Sequence, residues 1–134
     1  MEYKYKKVMV IDDSEPDLYI AEMLMEMTGF AEKVVCVSSA KQGLAYLEPL
    51  YATPDELPHF IFLDINMPGM SGFDFLKEYQ HLPDNIKKKC IIMMLTTSLN
   101  EDDRTQAERN QFVRKFLNKP LDREKLAQCI SMDQ

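Results

Sequence analysis

Five short apolar runs recur along this chain, and each is followed by a segment long enough for a helix. They fall at residues 8–11, 34–37, 60–63, 91–95 and, more weakly, 113–117. The runs are continuous rather than alternating, the pattern of strands buried on both faces in a parallel sheet. Parallel strands need crossovers, and crossovers are right-handed, so five βα units in this order place helices on both sides of one sheet. The expected fold is α/β, a doubly wound (βα)5 three-layer sandwich on a five-stranded parallel sheet. At 134 residues the chain is expected to form a single domain over 1–134, with no output domain.

The segments between the runs carry helix punctuation. Ser14 is placed to cap the first helix, with Asp17 as the acid three residues on, Pro16 in the first turn and Gly29 as the stop. Its apolar stripe is Leu18, Ala21, Leu24 and Met25. A second helix is expected over residues 40–48, ended by Pro49. A third starts at Ser71 with Asp74 as its capping-box acid and Pro83 past its end. The last starts at Asp122 and carries Leu126, Cys129 and Ile130 on one face. The segment 100–110 holds one apolar residue, Ala107, which predicts a solvated, marginally stable helix. The connections 51–58 and 81–89, the latter with Lys87, Lys88 and Lys89, read as surface loops.

Charge and composition narrow the function classes. With 22 acidic and 16 basic residues the net charge is −6, which disfavours nucleic acid and anionic membrane surfaces as partners. The first apolar run is too short for a signal peptide or a membrane span. Cys36, Cys90 and Cys129 lack C-x-x-C spacing and read as free thiols, which with the rest predicts a cytoplasmic protein. The ten methionines read as core filler, and His59 and His81 as isolated surface histidines rather than zinc ligands.

In doubly wound sheets, chemistry gathers beyond the carboxyl ends of the strands. There the first run ends in Asp12 and Asp13, the third in Asp64, the fourth in Thr96 and Thr97, and the fifth in Asn118, Lys119 and Pro120. Three converging carboxylates repel one another, and a hard divalent cation relieves that repulsion. Oxygen donors without nearby His or Cys favour Mg²⁺, with Mn²⁺ the alternative. Lys119 suits a phosphoryl oxygen, a threonine hydroxyl suits another, and Asp64 is the carboxylate placed to attack phosphorus. A one-residue slip would exchange Thr96 for Thr97. Taken alone, the acid pair could equally be a helix N-terminal cluster; beside Asp64 and Lys119 that reading recedes.

The segments Val10-Ile11-Asp12-Asp13-Ser14, Phe62-Leu63-Asp64-Ile65-Asn66-Met67-Pro68-Gly69-Met70-Ser71-Gly72, Leu95-Thr96-Thr97 and Phe116-Leu117-Asn118-Lys119-Pro120 together resemble the response-regulator receiver domain. That is the phospho-accepting module of two-component signalling, typified by the single-domain chemotaxis regulator. The resemblance implies a flavodoxin-like strand order 2-1-3-4-5. It implies Asp64 as phospho-acceptor, aided by Lys119 and Thr96. It implies a metal held by Asp13, Asp64 and the Asn66 backbone carbonyl, with Asp12 acting through water. Thr96 and Phe116 match the switch positions, and Asn66 and Ser98 the positions that tune phosphoryl lifetime. Two departures stand out: Phe112 occupies a position where many members carry Gly, and Phe116 lacks the hydroxyl of the commoner tyrosine.

The expected function is a signalling module, not an enzyme beyond intrinsic self-phosphorylation and autodephosphorylation. A histidine kinase or phosphotransfer protein would donate to Asp64. The face made by the helix at 100–110, the fifth strand and the last helix would then control a downstream protein. The expected state is a monomer or a phosphorylation-dependent homodimer. The rival is a Mg²⁺-dependent phosphohydrolase with an aspartyl-phosphate intermediate. It needs a general acid two residues after the nucleophile, where this chain has Asn66. A nucleotide- or flavin-binding domain would need glycine-rich phosphate loops that this sequence lacks.

Overall fold

Hydrogen-bonded neighbours in the sheet run β2-β1-β3-β4-β5, and every pairing is parallel. The computed structural model describes residues 2–133. The strands are β1 (Tyr5–Ile11), β2 (Ala31–Val37), β3 (Phe60–Leu63), β4 (Ile91–Thr96) and β5 (Val113–Asn118). The helices are α1 (Glu15–Thr28), α2 (Ala40–Leu47), α3 (Gly72–Tyr79), the single turn α4 (Asp84–Lys87), α5 (Glu101–Arg109) and α6 (Arg123–Asp133). The doubly wound order expected from the sequence is therefore the observed one.

Alternate residues of each inner strand face opposite cores, as the period of a strand requires. Val8, Val10, Phe60, Phe62, Met93 and Leu95 pack with Leu18, Ala21 and Met25 of α1 and with Leu126 and Cys129 of α6. Met9, Ile11, Ile61, Leu63, Ile92 and Met94 pack on the other side with α2, α3, Ile86 of α4 and Ala107 of α5. Burial on both faces explains why these runs are unbroken in apolar character. The edge strands β2 and β5 are only partly buried, which matches the weaker apolar signal of β5.

Local chemistry sets the helix ends. Ser14 accepts from the Asp17 N–H, and Gly29 closes α1 in the left-handed region at φ 70°, where a residue without Cβ is favoured. Ser71 and Asp74 form a reciprocal capping box at α3. Three expectations need correction. The connection 81–89 is not simply a surface loop: Ile86 is fully buried, and burying it winds the segment into α4. The connection 51–58 likewise holds parts of two 3-10 turns, Glu48–Ala52 and Pro54–Glu56, above the buried Leu57. Nor are all the methionines core filler, since Met23 and Met27 lie exposed on the outer face of α1 beside Tyr19.

The turn into β5 is built without the glycine. Asn110 Oδ1 accepts from the Phe112 N–H at 2.9 Å, and the Phe112 ring packs edge-on against Tyr79 with centroids 5.4 Å apart. The three cysteines are free thiols, with Cys36 half-buried and the other two buried. Burial pushes the Cys90 thiol up to about 11 and Cys129 up to about 12, so neither is a ready nucleophile at neutral pH. His59 is better tied than an isolated surface histidine, because it stacks on Tyr5 and its Nε2 lies 2.9 Å from Asp133. Among the described residues, no helix is long and apolar enough to cross a membrane.

Candidate functional site

Strand register brings the site together. Ile11 pairs with Leu63 and Leu63 with Met94, so Asp12 and Asp64 leave adjacent strands at the same height. Their backbones continue the ladder: Asp64 N–H donates to Ile11 O at 3.0 Å, and Asp12 N–H to Val37 O at 3.1 Å. On the other side Thr96 pairs with Asn118, and the Lys119 N–H donates to Thr96 O at 2.9 Å. Four strand ends thus deliver their polar residues to one rim, where strand order reverses direction around β1.

Oxygens of Asp12, Asp13 and Asp64 all lie within 4.8 Å of one another. Asp12 and Asp64 are buried, 2% and 7% exposed, while Asp13 is open to solvent. The Lys119 ammonium reaches into this group, 2.5 Å from Asp12 Oδ2 and 3.5 Å from Asp64 Oδ2. Asp64 Oδ1 accepts from the Ile65 N–H at 2.8 Å. Burial is the strongest influence on Asp64 and lifts its pKa, and the neighbouring Asp12 adds to the lift. Lys119, the Ile65 N–H and the Thr96 hydroxyl pull the other way without cancelling it. Burial opposes the charge of Lys119, but hydrogen bonds to Asp12 and Asp17 and the charge of Asp64 outweigh it, so its pKa lies above that of an ordinary lysine. An all-oxygen donor set with one open side fits a hard divalent cation, and the carboxylate repulsion that persists beside Lys119 gives such a cation something to neutralise.

The remaining expected residues occupy distinct places. Thr96 is fully buried and close enough to Asp64 to favour its ionised form, whereas Thr97 is exposed, so the one-residue ambiguity resolves to Thr96. Asn66 is exposed in the loop after β3. Ser98 donates to Asp103 of α5 at 2.6 Å, and its carbonyl accepts from Asn118 Nδ2 at 3.2 Å, which ties the loop after β4 to α5 and β5. Phe116 is buried in the core under α5, with the Arg104 guanidinium 5.1 Å from its ring centroid.

Two residues belong to this rim that sequence reasoning did not assign to it. Asp17 forms no reciprocal capping box; its carboxylate lies 2.8 Å from Lys119 Nζ instead. The available signal was its place in the first turn after Asp12 and Asp13, which lifts it to the same rim. Lys125 of α6 donates to Asn118 O and to Pro120 O, each at 2.7 Å, and so grips the backbone on both sides of Lys119. Nothing in the sequence singles out that lysine. At Gly72, a Cβ would collide with the carbonyl of Asp64 and touch Met94, so the start of α3 packs directly on the acceptor's backbone.

The family model described as the response regulator receiver domain matches residues 8–131. A curated relative, Protein PilH of Pseudomonas aeruginosa, is 27% identical over 126 residues, covering 93% of this chain and 94% of its own. A solved two-component response regulator from Cytophaga hutchinsonii superposes with a TM-score of 0.87 at 27% identity, covering 98% of this chain and 96% of its own. The Mn²⁺-bound form of response regulator Rcp1 shares the fold, with a TM-score of 0.71 at 24% identity and coverage of 93% and 88%.

Proposed function

This chain belongs to the response regulator receiver domain family, and we therefore propose that Asp64 is its phospho-acceptor, charged by a histidine kinase or phosphotransfer protein. The observation that carries this reading is the meeting of Lys119 with Asp12, Asp13 and Asp64 at the sheet rim. A carboxylate oxygen of Asp64 attacks phosphorus, the N–P bond of the donor phosphohistidine breaks, and its electron pair leaves with the imidazole nitrogen, which takes up a proton. Lys119 holds one phosphoryl oxygen and the Thr96 hydroxyl another, so charge on the transferring group meets donors already in place. Asp13, Asp64 and the Asn66 carbonyl would hold a divalent cation, Mg²⁺ in the first instance and Mn²⁺ in the second, with Asp12 through water, and that cation would supply positive charge against the phosphoryl oxygens.

The modified state is read out at the face of α5, β5 and α6, which controls a downstream protein. Thr96 and Phe116 are the switch pair, and Asn66 and Ser98 set the lifetime of the phosphoryl group. The support is local: Ser98 links the loop beside Thr96 to Asp103 of α5, and α5 buries little of its own surface. The phosphohydrolase alternative finds no support at Asn66, a side chain unable to protonate a leaving group.

The test is incorporation of phosphate from a small phosphoryl donor with Mg²⁺. The unmodified protein is expected to gain one phosphoryl group that hydroxylamine removes, and Asp64→Asn none. Equal incorporation by Asp64→Asn would overturn the assignment, and sustained turnover of a phosphomonoester would favour the hydrolase.

A further inference from the structure

Lys119 and a divalent cation make competing demands on the same carboxylates. Both are positive, and both need Asp12 and Asp64. The distances indicate how the competition is eased. Lys119 Nζ lies 2.5 Å from Asp12 Oδ2 and 2.8 Å from Asp17 Oδ2 but 3.5 Å from Asp64 Oδ2, so the ammonium sits between Asp12 and Asp17 and away from the acceptor. Asp17 stands outside the group of three clustered carboxylates, on the first turn of α1, with its N–H held by Ser14 Oγ at 3.3 Å. Its side chain is 37% exposed where that of Lys119 is 10% exposed, which puts it on the solvent side of the ammonium.

We propose that Asp17 is a positioning residue that draws Lys119 off Asp64, so that the ammonium and a divalent cation share the pocket instead of excluding each other. This inference rests on the cation reading above and deepens it. A cation held by Asp13 and Asp64, with Asp12 through water, would weaken the hold of Asp12 and Asp64 on Lys119. Asp17, which the cation does not use, then remains the principal counter-charge of the ammonium. Without Asp17 the ammonium has only the cation's own carboxylates to turn to.

The measurement is Mn²⁺ affinity, followed by the electron paramagnetic resonance of the free ion, in a double-mutant cycle of the full chain. Asp17→Asn keeps the shape and removes the charge, and its dissociation constant is expected to rise about fivefold. In a Lys119→Met background, or Lys119→Gln where the methionine variant does not hold its fold, the same change is expected to cost less than roughly twofold. Asp17→Glu should stay close to the unmodified protein. Unchanged affinity in Asp17→Asn would overturn the inference, as would an equal loss in both backgrounds, which would mean that Asp17 acts on the cation directly. If the unmodified protein binds no Mn²⁺, the cation reading fails and this inference with it. A protein that binds, with Asp17→Asn its equal, defeats the inference alone.

Discussion

Asp64 is a buried acid whose charge the resting pocket only partly supports. Burial, first among its influences, raises its pKa, and Lys119 does not fully reverse this. The folded state therefore holds the Asp64 proton more tightly than the unfolded chain does. The contribution of Asp64 to stability in the absence of metal is full below the ordinary carboxylate range and is lost as pH rises through the elevated Asp64 value. Asp64→Asn is expected to flatten that fall and to be the more stable protein at neutral pH in chelator, as read from thermal unfolding at a series of pH values. Lys119→Met acts in the opposite direction. It leaves Asp12 and Asp64 buried without their ammonium, at an expected cost of about 3 kcal/mol at neutral pH, which denaturant titration would measure. Gly72 is the third sensitive position. Alanine there would press its Cβ into the Asp64 carbonyl, and about 2 kcal/mol of lost stability is expected on chemical denaturation.

At the scale of elements, α5 differs from its neighbours. Its sequence of charged and polar residues buries only Ala107, so few apolar contacts hold it. What fixes it is polar: Asn100 caps the Asp102 N–H at 2.8 Å, Asp103 accepts from Ser98, and Arg104 lies over Phe116. Such links are weak individually in water and easily exchanged. Amide hydrogen exchange is expected to be faster in α5 than in α1, α3 or α6. Arg104→Ala should speed it further while shifting the global Tm little. That this helix buries little was legible from its composition. Its attachment through Ser98 and Phe116 was not, because those residues come from two other segments. α4 was missed for a related reason: four residues around one isoleucine leave no periodic signal, and only the space over β4 made Ile86 a core residue.

For the whole molecule, the net charge is −6, and Asp12, Asp13 and Asp64 bring three of its carboxylates together at one rim. A cation that binds the folded pocket and not the unfolded chain stabilises by mass action, about 2.7 kcal/mol at a hundredfold excess over its dissociation constant. Mg²⁺ is therefore expected to raise Tm by roughly 10 °C over chelator, and Asp13→Asn to lose most of that rise. The opposite end of the sheet is held differently. Tyr5 and His59 both reach Asp133, which pins the end of α6 to the starts of β1 and β3.

The apolar runs, their order and the polar residue closing each one determined the parallel sheet and which side chains would share its rim. These are local properties: strand periodicity, burial on two faces, and the rule that ladders carry the residues after them to one end. Tertiary structure alone decided where Asp17 and Lys125 point, that Thr96 and not Thr97 turns inward, and that Phe116 lies beneath Arg104. Each of those outcomes joins segments far apart in the chain, through ion pairs and packing that no single stretch of sequence contains. Pairings of that kind exist only once β1, β3, β4 and β5 stand in register.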